Sequence, residues 1–381
     1  MKRFSIATFL SLILLMISGG CSEKSTASTK SATDNQSSGE TKDSVQAAQK
    51  PAPSVRDLTF AFVGDIMMGT NYPESPAGAY LPANDGKDLF RDAAELLRSA
   101  DIAAGNLEGT LLDSGGTPKK CSNPSVCYAF RMPTKYVSNL IDVGMDFVGI
   151  ANNHINDFGP VGLASTKKTL TDAGIVFAGL QAGPRTATLE RDGRKIGFAA
   201  FGHSKGTMSI NDLETVRRTV ADLKKSHDIV VVSFHGGAEG PKYSHVPHSS
   251  ETAFGENRGN VEKFAHTAID AGADVVYGHG PHVARAAELY KDHLILYSLG
   301  NFCTPYRMGL GGISGEAPLV IVTIDNTGKF KGGKIHSFIQ QKGTGPRLDP
   351  NHSVAKQIKS LSTQDFPSSP LRIDPDGTLH R

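Results

Sequence analysis

The sequence predicts a layered α/β domain with mixed sheets, on three observations. Apolar, β-branched runs alternate with segments of helical periodicity, the pattern of strands covered by helices. Asp192-Gly193 and Asn326-Thr327-Gly328 are turn signals between apolar runs, so part of the sheet structure is antiparallel. Residues that bind metals or move protons stand directly after the strands.

In chain order, residues 58–63 form a strand and 88–100 carry a helical pattern through Leu89, Phe90, Ala93, Leu96 and Leu97. A short strand at 102–104 is followed by a helix after Pro133, with Thr134 as its N-cap and Gly144 as its stop. Residues 147–151 are a strand, 161–172 a helix ended by Gly174, and 175–178 a short strand. The hairpin pairs 187–191 with 194–201. A helix at 212–225 precedes the strand at 229–234, and a helix at 261–271 precedes the strand at 275–277. Strands at 294–299 and 319–324 follow, and the Asn326 turn sends the chain back along 335–339.

Four segments divide the chain. Residues 1–21 read as a secretory signal: Lys2 and Arg3 precede an apolar run that is short for a membrane span, ending in Ser18-Gly19-Gly20-Cys21. Cys21 is the expected lipid-attachment site, although Ser18 stands where such sites usually carry Leu; cleavage by ordinary signal peptidase near Gly20 is the alternative. Residues 22–56 are Ser, Thr, Lys, Ala and Gln with almost no large apolar side chain, and are expected to be a disordered tether. Residues 57–340 hold the domain, large enough for one sizeable core. The polar, Pro-punctuated stretch 341–381 is expected to be a peripheral or disordered tail.

The formal charge of +2 and the lack of a dense Lys/Arg stripe argue against a nucleic-acid partner. With Cys21 lipidated, three cysteines remain. Cys121 and Cys127 flank a short loop of an exported chain and are expected to form a disulfide; a zinc site is the weaker reading, because neither has a Cys-x2-Cys partner. Cys303 is left as a buried thiol.

Five strands run into chemistry. Their exits carry Asp65; Asn106 and Glu108; Asn152, Asn153 and His154; His235; and His279 and His282. A polar residue after one strand is usually a cap, but five such exits are expected to converge on one rim beyond the strand ends. Carboxylate, amide oxygen and imidazole together suit a divalent Mn, Zn or Fe ion, so Asp65, Glu108, Asn153, His235, His279 and His282 are the expected ligands. His154 is expected outside the ligand set as a general acid. Asn106, His203 and Asn301 are expected to touch substrate, whereas His245 and His248 read as solvated loop residues.

At these motifs the sequence resembles a known family. Val-Gly-Asp65-Ile-Met-Met-Gly, Asn106-Leu-Glu108, Ala-Asn-Asn153-His154, Phe-His235-Gly-Gly, Gly-His279-Gly-Pro-His282 and Ser-Leu-Gly-Asn301-Phe occur in the order of the CapA-like poly-γ-glutamate capsule-synthesis proteins. That resemblance implies a four-layer α-β-β-α sandwich of the calcineurin-like metallophosphoesterase type. It also implies a place outside the cytoplasmic membrane, and a role in making or exporting an anionic polymer. Met67 stands where metallophosphoesterases usually have the His of Asp-x-His, and Gly280 where relatives often carry His; these departures imply one well-supplied metal position. Three functions fit: a lipid-anchored metal-dependent hydrolase or transferase working with capsule-synthase membrane subunits, a noncatalytic polymer- or synthase-binding accessory, and a general periplasmic phosphodiesterase.

Overall fold

The computed structural model describes residues 56–74, 80–121 and 127–381. The signal segment 1–21 with Cys21, and residues 22–55 of the tether, lie outside them. Arg56, assigned to the tether, is bonded into the domain through Asp101.

The first strands are β1 (Leu58–Ile66), β2 (Ile102–Leu107), the short β3 (Thr110–Leu111) and β4 (Arg131–Met132), β5 (Met145–Gly149) and β6 (Val176–Ala178). The hairpin β7 (Thr186–Arg191) and β8 (Arg194–Gly202) is followed by β9 (Ile229–His235), the small hairpin β10 (Glu251–Ala253) and β11 (Glu256–Gly259), and β12 (Val275–His279). Then come β13 (Ala287–Tyr290), β14 (His293–Leu296), β15 (Asn301–Cys303), β16 (Glu316–Ile324), β17 (Phe330–Gln341), β18 (Gly345–Leu348), β19 (Arg372–Ile373) and β20 (Thr378–His380). The helices are α1 (Ala94–Ser99), α2 (Val137–Asp142), α3 (Gly159–Asp172), α4 (Leu213–Lys224), α5 (Val261–Asp270) and α6 (Ser353–Asp365).

Two mixed sheets result. One runs β19-β20-β17-β16-β1-β2-β5-β6, with β15 beside the end of β1; the other runs β13-β14-β12-β9-β8-β7. Alternation along the strands makes the layers. Phe60 and Phe62 of β1 pack in the cluster that also holds Phe198, Val231 and Tyr277 of the second sheet, so this core lies between the sheets. Ala61 and Val63, on the opposite face of β1, join Leu97, Leu140 and Leu170 of α1, α2 and α3. On the far side, Val230 and Val232 of β9 pack with Val216 and Val220 of α4 and Phe264 of α5. The order is helices, sheet, sheet, helices, the four-layer sandwich expected from the motifs.

Local chemistry sets the boundaries. Asp212 accepts from Thr215 N at 3.0 Å and Asn260 from Lys263 N at 2.9 Å, starting α4 and α5 with side-chain caps. Asp192 and Gly193 both adopt positive φ, as a tight hairpin turn needs.

Three expectations are corrected. The helix expected at 88–100 begins only at Ala94, because the Leu89 carbonyl accepts from Arg347 Nη1 at 3.1 Å instead of from a helical partner. Thr134 is no N-cap; its hydroxyl donates to Asp113 at 2.7 Å, and a 3-10 turn over Thr134–Tyr136 leads into α2. The stretch 341–381 is no peripheral tail. β20 pairs with β17, and Val354, Ala355 and Ile358 of α6 are buried in the core between the sheets. Cys121 and Cys127 are bonded, with Cα atoms 5.6 Å apart, and Cys303 is a buried free thiol.

Candidate metal centre

Strand register builds the site. In the first sheet Asp65 lies beside Asn106 of β2 on one side and Asn301 of β15 on the other. In the second, His279 at the end of β12 lies beside His235 at the end of β9. Glu108 follows β2 directly and is fixed by its backbone N, which donates to Ile66 O at 2.9 Å.

The two sheets bring these groups together. Asp65, Glu108 and His235 each offer a ligand atom within 4.8 Å of the others. His279 Nδ1 is 3.5 Å from Asp65 Oδ1; His282 Nδ1 is 3.1 Å from Asp65 Oδ2, and its Nε2 is 3.7 Å from Glu108 Oε1. Asp65, Glu108, His235 and His279 are buried.

Their polar atoms are short of partners. Among the described residues, both oxygens of Glu108, both ring nitrogens of His235 and of His279, and Asn153 Oδ1 are buried without a hydrogen bond. Each such atom costs about 1–3 kcal/mol. So many unpaired ligand atoms in one place fit a bound divalent cation, and the oxygen and imidazole donors suit Mn, Zn or Fe.

Charge follows the same logic. Burial pushes His235 down to about 3 and His279 to about 4, so both rings are neutral and keep lone pairs for a cation. Burial also opposes charge on His282, but Glu108 and Asp65 outweigh it and raise this ring to about 10.

The family whose model matches, at residues 59–306, is described as bacterial capsule synthesis protein PGA_cap. The chain belongs to that family. Over 264 residues it is 29% identical to the capsule biosynthesis protein CapA of Bacillus anthracis, covering 64% of this chain and 59% of that protein. Over 241 residues it is 32% identical to a "probable polyglutamine synthesis accessory protein" of Mycobacterium tuberculosis, covering 56% of this chain and 58% of that protein. The chain spans about six-tenths of the length of the curated relatives it matches. Among solved structures, the calcineurin-like phosphoesterase YfkN of Bacillus subtilis aligns at 12% identity and a TM-score of 0.40, over 82% of this chain and 98% of that one.

Three residues expected at the substrate support the PGA_cap site from behind. Asn106 Nδ2 donates to Asp65 Oδ1 at 2.8 Å, and its oxygen accepts from Asn152 at 3.0 Å. Asn301 is spent on the His282 and Ser314 carbonyls. The His203 imidazole is 1% exposed, with Nδ1 3.3 Å from the His235 carbonyl and its ring beside that of His235. All three side chains lie against Asp65, His282 or His235.

Residues given no role from the sequence support the site as well. Asn152 is fully buried, bonded to Asn106 and Leu107, and receives the backbone N of His154 at 3.1 Å. Asp157 Oδ2 is 2.8 Å from His154 Nδ1, while its Oδ1 meets Lys119 Nζ at 2.6 Å. The motif Asn-Asn-His-x-x-Asp stands in the sequence, but it assigns no role to Asn152 or Asp157. Glu239, held by Arg258 at 2.8 Å, adds negative charge near His235 and His282.

Met67 and Gly280, the two departures from expected histidines, both stand in tight surroundings. Met67 is wholly buried in the cluster beneath α1, α2 and α3. A side chain at Gly280, where φ is +116°, would bring its Cβ within 2.7 Å of the Gly236 carbonyl oxygen.

Proposed function

We propose that this PGA_cap protein is an exported, envelope-anchored component of poly-γ-glutamate capsule synthesis or export with a metal-dependent hydrolase or transferase site. The convergence of unpartnered ligand atoms from both sheets carries the chemical half of this reading. Family membership and relatives named for capsule biosynthesis support the biological half. Cys21, in its lipoprotein-like context, supports the anchor.

Asp65, Glu108, His235, His279 and His282 would hold the ion, with Asn153 Oδ1 as a further buried oxygen donor. When bound, a Mn, Zn or Fe ion lowers the pKa of water and polarises a phosphoryl or acyl oxygen. His154 is arranged to move a proton. Its Nδ1 is closer to the Asp157 carboxylate, at 2.8 Å, than to the Lys119 ammonium, at 3.3 Å, so Nδ1–H donates to Asp157. Nε2 then faces the centre, 3.9 Å from Glu108 Oε1, and is the atom that would carry the proton for a leaving group, with Asp157 steadying the charged ring. Phe130, with its ring centroid 4.4 Å from that of His154, holds the imidazole in place. This geometry suits a general acid for a leaving group.

The test is the full chain, with metal content measured by elemental analysis and turnover followed on a chromogenic phosphodiester and a γ-glutamyl peptide. Stoichiometric Mn, Zn or Fe with ion-dependent turnover is expected. Protein that stays metal-free after incubation with each ion, with an unchanged melting temperature, rejects the metalloenzyme and leaves the noncatalytic accessory, a reading the mycobacterial relative's name also supports. Cys21→Ala is expected to leave the membrane fraction or remain unprocessed; wild-type fractionation and migration reject the anchor.

A further inference from the structure

A cleft of about 520 Å³ opens beyond the end of β15, and no ligand of the metal centre lines it. Its walls are Tyr80, Tyr128, Arg307 and Lys342, with Met308 and Leu310. Among the described residues, none that lines it is acidic.

Arg307 organises it. The guanidinium carbon lies 5.1 Å from the ring centroid of Tyr80 and 5.1 Å from that of Tyr128. Aromatic contacts of this kind hold the cation by its face and leave the N–H edge to form the two parallel bonds that a carboxylate accepts. Nε is buried without a hydrogen-bond partner among the described residues.

The second cation is brought there by the fold. Gly343 N donates to Pro305 O at 2.9 Å, which ties the turn after β17 to the segment carrying Arg307, and Lys342 stands exposed in that turn. Tyr128 is 42% exposed, so its ring is open to a ligand in the cleft. The disulfide ends at Cys127, which also lines the cleft and is next to Tyr128 in the chain.

We infer that this cleft is a second binding site, which takes the carboxylate groups of a γ-linked glutamate chain whose other residues reach the metal centre. The inference rests on the polymer reading proposed above. Arg307 is six residues beyond Asn301, which adjoins Asp65, so the two sites lie within about 22 Å along the backbone. A chain bearing a carboxylate on every unit can occupy both. A small phosphodiester cannot.

The experiment titrates a fluorescent γ-linked glutamate oligomer into the full chain and into Arg307→Ala, Lys342→Ala and His235→Ala. The oligomer with its carboxylates methyl-esterified and inorganic phosphate serve as comparison probes. Arg307→Ala and Lys342→Ala are expected to weaken oligomer binding by about tenfold or more with metal content unchanged. His235→Ala is expected to lose metal and still bind through the cleft, and the esterified oligomer to fail. Lys342 is exposed, so its variant keeps the inference testable if Arg307→Ala folds poorly. Wild-type affinity in both cleft variants overturns the cleft while leaving the polymer reading standing. No oligomer binding by the wild type overturns both, and displacement by phosphate as effective as by free oligomer overturns the carboxylate assignment.

Discussion

His235 Nε2 lies 3.4 Å from Glu108 Oε1, across the seam between the two sheets, and neither atom has a hydrogen-bond partner among the described residues. His235→Ala and Glu108→Gln should therefore each strip metal from the protein. Where the ion is present at about 100 times its dissociation constant, wild-type protein gains about 2.7 kcal/mol that these variants do not. Calorimetric melting with and without ion measures it; an ion-dependent shift that survives in His235→Ala rejects the ligand assignment.

His154→Ala should behave in the opposite way, because its Nδ1 is engaged by Asp157 and its Nε2 is 3.9 Å from Glu108. Metal content should be retained and turnover reduced about 10²- to 10⁴-fold. Loss of metal in this variant would make His154 a ligand.

Metal uptake should release protons. His235 and His279, at about 3 and about 4, are already neutral at pH 7, whereas His282, at about 10, carries a proton between Asp65 and Glu108. An ion that takes this nitrogen displaces about one proton, so apparent affinity should rise with pH up to about 10. Titration calorimetry in two buffers of different ionisation enthalpy reads the proton directly. Heats independent of buffer would keep His282 out of the ligand set.

Asp101 ties the start of β1 to the start of β2. Hydrogen bonds from the Arg56 side chain, with further ones from Thr59 N and Oγ1, lower its carboxyl to about 2 despite burial, which acts against them. Since the folded value lies below the ordinary 3.8, the stabilisation is present above about pH 4 and is lost as pH falls towards 2. Asp101→Asn should cost about 1 kcal/mol at pH 7, reduced by solvent around exposed Arg56, and only a fraction of that at pH 2, where the folded-state carboxyl is partly protonated. Equal losses at both pH values would refute the charge-based account.

The C-terminal stretch makes the sharpest test of the fold. Ile358→Ala in α6 should cost about 2–5 kcal/mol, and truncation after Gln340 should prevent stable folding. A truncated protein with the wild-type melting temperature would restore the idea of a peripheral tail.

That error is instructive. Val354, Ile358 and Leu361 recur at helical spacing, but Ser, Lys and Gln between them lower the average hydropathy to that of a loop. The signal was in the period, not the composition. Asp65, Glu108, His235, His279 and His282 were legible because a strand exit is a local pattern, and parallel strands of one sheet end on the same edge. The supporting roles of Asn106 and Asn301 were not, since they depend on which strand pairs with which and on side chains that point sideways along the sheet.

The seam between the sheets has one more consequence. Tyr277 reaches across it, its hydroxyl 3.5 Å from the carbonyl of Gly105 and its ring 4.7 Å from that of Phe62, directly beneath the residues that face one another at the rim. The spacing of Glu108 from His235 is thus set by the thickness of the aromatic filling below it. A smaller ring there would let the halves settle closer, and a bulkier one would wedge them apart. Either change would retune the grip on an ion without altering any atom that touches it.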